Sequence, residues 1–132
     1  MDDGNIKQVI ENDPFLDFVG VKILELKEGY CRLSVDLKHE LTRSGGIMNG
    51  GAISTLADAT GGCAVLTANP GRNQVTVNLN ISFLRPIKKG PVTAEGKVVK
   101  TGKSMSFADI KIFDGDGIEC AVASGTWFFV QF

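Results

Sequence analysis

Asp58 is the only charged residue in the 28 positions from Ser44 to Gly71. At the chain's 22% charged average such a run would hold about six. It sits in GGAISTLADATGGCAVL, a stretch of small and apolar residues that reads as a helix. A lone carboxylate there is costly to desolvate unless it is paired, hydrogen-bonded or used. Two further features suit it to carbonyl chemistry. Asn49-Gly50-Gly51 falls at the start of the same helix, where free backbone N–H groups and the helix dipole favour a developing negative charge. The strand Val75–Phe83 then offers Thr76, Asn78 and Asn80 on one polar face. Hydrolysis of a carboxylic derivative needs donors for an oxyanion and a carboxylate that attacks or activates water.

These groups need a scaffold. With 132 residues the chain is expected to form one domain, residues 1–132, opening on an N-terminal helical extension over 1–14. Asn5 to Asn12 reads as a short amphipathic helix stopped by Asp13-Pro14. Phe18–Leu26 and Tyr30–Leu37 alternate as two strands about a Lys27-Glu28-Gly29 turn, and 39–49 reads as a loop. Gly50 to Ala68 is the long helix, ended by Asn69-Pro70-Gly71. Gly61-Gly62 inside it costs about 1 kcal/mol per residue against alanine, so a helix that keeps them is expected to pack unusually close to another backbone. Four long strands follow: 75–83, 92–100, 104–113 and 118–132, the last pair joined by Asp114-Gly115-Asp116-Gly117. The fold class is α+β, a curled antiparallel sheet of about six strands around one helix. The long terminal strand is expected to leave an edge that invites a second copy, and Thr126–Val130 is apolar on both faces.

Composition narrows the function. A net charge of −1 gives no basic face for nucleic acid, and no apolar run is long enough for a membrane span. Three cysteines without a CxxC pair, and no basic-apolar leader, point to the cytoplasm. No Cys/His/Asp cluster has metal-ligand spacing, so no metal or redox cofactor is expected. His39, the only histidine, reads as a solvated strand end, and Cys63 as facing away from Asp58.

Gly46-Ile47-Met48-Asn49-Gly50-Gly51 followed by Leu56-Ala57-Asp58 resembles the hotdog-fold acyl-CoA thioesterases of the phenylacetate-degradation type. The run Val75 to Pro86 and the Gly102-Lys103-Ser104 turn are similar to that family's later strands, so the resemblance covers roughly Phe15 to Val130. It implies hydrolysis of an acyl-CoA thioester to an acid and free coenzyme A. It also implies a homodimer, paired again into a homotetramer, with each site between subunits. On the matching positions Asp58 is the nucleophile or general base, Gly50 or Gly51 the oxyanion donor, and Thr76 the hydroxyl that places water. Asn49 stands where most members carry histidine; it still donates a hydrogen bond but cannot titrate near neutrality. Arg43 and Gly46 fall at the substrate loop, and Lys88, Lys89, Lys103 and Ser104 at a rim suited to coenzyme A phosphates. Two alternatives remain beside this reading: a non-catalytic acyl-CoA or lipid-binding module, and a hydratase or dehydratase, which the missing histidine disfavours.

Overall fold

The computed structural model describes residues 3–131, with side chains from residue 5 onward. Its elements run α1 (Asp3–Glu11), α2 (Pro14–Val19), β1 (Lys22–Lys27), β2 (Tyr30–Val35), a 3-10 turn (His39–Leu41), β3 (Thr42–Arg43), β4 (Ile47–Met48), α3 (Gly50–Ala68), β5 (Asn73–Phe83), β6 (Val92–Thr101), β7 (Met105–Phe113) and β8 (Glu119–Val130). Six strands form one antiparallel sheet in the order β1-β2-β6-β7-β8-β5, and β3-β4 make a separate short ribbon. The sheet curls around α3, which packs mainly on β6, β2 and β7 and more lightly on β5 and β8. This is the expected α+β arrangement.

The helix can approach so closely because glycine faces it and lines it. A Cβ on Gly61 would lie 2.3 Å from the Trp127 ring, and one on Gly96 in β6 would lie 2.8 Å from the Thr60 carbonyl oxygen. Leu33, Leu56, Val65, Ile110, Ile112 and Trp127 fill the space between the layers and are fully or almost fully buried. The propensity lost at Gly61 is thus offset by contact between helix and sheet.

The structure corrects several expectations. Phe18 does not begin a strand: it lies in α2, because Asp13 accepts hydrogen bonds from the Phe15 and Leu16 N–H groups at 3.0 Å each and Pro14 pre-sets the first turn. The terminal strand β8 is no edge, since it is held between β7 and β5; the sheet's edges are β1 and β5. The polar residues of β5 do not share one face. The register shifts between Thr76, opposite Trp127, and Asn78, opposite Thr126. A bulge of this kind adds one residue and switches which face the following side chains occupy. Gln74 and Thr76 therefore turn toward α3, whereas Asn78 and Asn80 open on the outer face of the sheet. After the bulge the apolar set turns inward, so Ile81 packs on the core and Phe83 reaches Gly50. The 39–49 segment, read as a loop, also holds the 3-10 turn and the β3-β4 ribbon. Phe132, the expected strand end, lies outside the described residues.

Candidate active site

Asp58 occupies the middle of α3, half-buried at a cavity of about 480 Å³ between α3, β5 and the two N-terminal helices. The Thr76 hydroxyl donates to Asp58 Oδ1 at 2.6 Å, and among the described residues this is the carboxylate's one hydrogen bond. The distance is that of a short charge-assisted O–H···O contact. The β5 bulge makes the meeting possible, by directing Thr76 to the helix while the strand's later polar residues leave it. Thr55 and Gly62 flank Asp58 one turn away on either side and line the same cavity. Gln74 Nε2 donates to the Gly62 carbonyl at 2.8 Å and ties β5 to the helix beyond Asp58.

The helix start is arranged differently. Asn49 is the N-cap, and its Oδ1 accepts from the Gly51 N–H at 2.7 Å. That bond accounts for asparagine at a position where the resemblance expected histidine: it is among the best capping residues. It also engages one of the two glycine donors. The Gly51 N–H is held by the cap, so Gly50 is the residue whose N–H is left to meet an oxyanion. Asn49 itself is exposed, and its amide nitrogen remains available as a donor. Eight residues of helix separate Gly50 from Asp58, a rise of roughly 12 Å. The Asp58 carboxylate and the Gly50 N–H of one chain are therefore too far apart to act on one carbonyl.

The remaining candidates scatter. Arg43 and Gly46 form the exposed tip of the β3-β4 ribbon, where the Gly46 N–H donates to the Arg43 carbonyl at 3.1 Å. Lys88 is exposed, but Lys89 is paired with Asp116 at 2.9 Å, and this hydrogen bond raises the lysine's pKa. Lys103 and Ser104 are exposed in the β6–β7 turn. None of these side chains lines the cavity at Asp58. His39 is exposed on the 3-10 turn. Cys63, expected to face away, reaches the cavity's inner wall, because the cavity extends around that side of α3. A hydrogen bond with Cys63 and burial push the Cys31 thiol up, which keeps Cys31 from acting as a thiolate nucleophile.

Sequence reading missed Thr55, Gln74 and the contribution of α1 and α2. Thr55 was accessible in principle, since the position three before Asp58 shares its helix face. Gln74 required the strand phase set by the bulge, which no residue pattern announces.

A six-stranded antiparallel sheet curled around one long central helix is the hotdog fold of thioester hydrolases. The chain belongs to the thioesterase superfamily, whose model matches residues 45–121. Its relatives agree. A Thermoplasma acidophilum protein named "Putative esterase" is 39% identical over 127 residues, covering 96% of each chain. A Saccharolobus solfataricus protein of the same name is 40% identical over 119 residues, 90% of this chain and 85% of that one. Among solved structures, the Escherichia coli PaaI protein from the phenylacetic acid degradation operon superposes with a TM-score of 0.90 at 25% identity, over 97% of this chain and 92% of that one. A Haemophilus influenzae thioesterase shares the fold with a TM-score of 0.87 at 22% identity, over 97% and 90%. No helix among the described residues is long and apolar enough to cross a membrane.

Proposed function

We propose that the protein hydrolyses acyl-CoA thioesters in a site completed by two copies of the chain. The observation that carries the reading is the Thr76–Asp58 hydrogen bond at the cavity mouth. With its O–H donated in a hydrogen bond to Asp58, the Thr76 hydroxyl keeps lone pairs to accept a bond from water. Asp58 then takes a proton from that water as the water oxygen attacks the thioester carbon; in the other route Asp58 attacks the carbon itself, and water then hydrolyses the resulting mixed anhydride. The carbonyl oxygen gains charge and is met by the Gly50 N–H of the second copy, with the Asn49 amide beside it. The C–S bond breaks, coenzyme A departs as thiolate and takes up a proton, and the acid is released. Because a thiolate leaves readily, the step tolerates asparagine in place of a titrating histidine. No metal or redox group enters this reading.

The second copy is required by the roughly 12 Å rise between Gly50 and Asp58 in one helix. The edge strand β5 offers the seam: its outer backbone edge is unpaired by the sheet, and Val77 and Phe83 are 56% and 55% exposed. Two-fold pairing of β5 with its copy would extend the sheet, cover those side chains and set the two α3 helices side by side. A further pairing of dimers into a tetramer would cover Val99, Phe107 and Phe128, which are exposed on the sheet. Of the three rim lysines, Lys88 and Lys103 are left for coenzyme A phosphates, since Lys89 is paired with Asp116. A cytoplasmic location belongs to the same proposal, supported by three unpaired, buried cysteines.

The test is thiol release from a panel of acyl-CoAs by the wild type and by Asp58→Asn. Turnover by the wild type that collapses in the variant supports the mechanism. Binding of acyl-CoA without turnover of any member of the panel would identify a binding module instead.

A further inference from the structure

The cavity beside Asp58 is roofed by the two N-terminal helices. Val9 of α1 and Phe15 of α2 both line it, yet they are 51% and 57% exposed and contribute little to the core. Large apolar side chains held so open gain from burial only when something apolar fills the space beside them. The opposite wall is apolar as well, with Leu66 on α3 and Trp127 on β8. The charged residues lining the cavity are Asp13 and Asp58, two acids and no cation. Asp13 is already committed to capping α2.

A thioester placed at Asp58 has two arms. The coenzyme A arm carries phosphates, which an apolar, acid-lined cavity disfavours, so that arm lies toward solvent. The acyl arm enters the cavity, whose volume of about 480 Å³ falls in the usual range for small-ligand sites.

We infer that Val9 and Phe15 are specificity-determining residues. They make α1 and α2 an acyl clamp that selects neutral apolar acyl groups larger than acetyl, and rejects acyl groups that end in a carboxylate. The inference rests on the proposed role of Asp58. It assigns to the N-terminal helices a substrate-selecting part.

The experiment compares kcat/KM for acetyl-, octanoyl-, benzoyl- and succinyl-CoA in the wild type, Phe15→Ala and Val9→Lys. The wild type is expected to prefer octanoyl- or benzoyl-CoA, these two arms separating an alkyl from an aryl occupant, and to use succinyl-CoA least. Phe15→Ala should lower the ratio of the preferred substrate to acetyl-CoA at least tenfold. Val9→Lys should raise the ratio of succinyl- to octanoyl-CoA at least tenfold, by placing a cation at the wall. Unchanged ratios in both variants, or succinyl-CoA among the best wild-type substrates, would overturn the clamp. Binding of non-hydrolysable acyl-CoA thioethers separates the clamp from the catalytic reading. Affinity that rises with acyl length, and loses that rise in Phe15→Ala, upholds the clamp even if the wild type hydrolyses nothing. Affinity independent of acyl length overturns the clamp even if Asp58 proves catalytic.

Discussion

The two ends of the working half of α3 solve opposite problems. At its start, Asn49 and Gly50 present backbone and amide donors to solvent, and the Asn49 cap holds them in place. Two and a half turns on, Asp58 sits against a cavity, held by a hydroxyl from another element, with Gly61 pressed onto the sheet beyond it. The first region presents backbone N–H groups held by one side-chain cap; the second depends on side chains from two elements and on tight packing. The difference teaches why the proposed site needs two copies: the donors at the helix start and the carboxylate at the cavity lie too far apart along one helix to meet on one carbonyl.

The strongest way to break the comparison is Asp58→Asn, which keeps shape and removes the base. Initial rates of thiol release should fall about 10³-fold, within the span for loss of a general base, while the melting temperature changes little. Next comes Gly50→Pro. Asn49 already has the extended backbone that precedes proline, φ −64 and ψ 135, and proline is favoured at the first helical position. A Cβ there would meet Phe83 at an ordinary 3.7 Å. The substitution therefore deletes the N–H with the helix intact, and kcat should fall about 10²-fold, as for loss of one oxyanion donor.

These two substitutions also show how much was legible in the sequence. Asp58 and the Gly50–Ala68 helix could be read because an uncharged, small-residue run between strong stop signals is unusual. The order of hairpins from Val92 onward was equally plain from alternation and turn residues. The α2 helix was obscured because Phe18 to Leu26 alternates like a strand, although Asp13-Pro14 carried the capping signal. The bulge in β5 was invisible, since Val75 to Phe83 alternates evenly in sequence and the extra residue is set by pairing with β8. The place of β8 inside the sheet, and the cavity under α1 and α2, arise from tertiary packing that a linear pattern does not encode.

Gly61→Ala sharpens the packing side of the comparison. Its Cβ would fall 2.3 Å from the Trp127 ring, so the protein should lose about 1–3 kcal/mol, the usual cost of overpacking. Chemical denaturation measures this, and no comparable loss is expected for Gly50→Ala, whose nearest neighbour is at contact distance. Thr76→Val has the smallest effect. It removes the bond to Asp58 and should lower kcat about tenfold, the scale of one hydrogen bond to a charged group; Thr76→Ser should restore most of the rate.

The central claim is that each site takes its carboxylate from one chain and its oxyanion donor from another. Mixing the two inactive variants, Asp58→Asn and Gly50→Pro, under conditions that exchange subunits tests it directly. A shared site predicts regained thiol release of about a quarter of the wild-type rate, because half the dimers are hybrids and each hybrid holds one intact site of two. A mixture that stays at the sum of the two variants' rates, with hybrid dimers shown to have formed, would contradict the account.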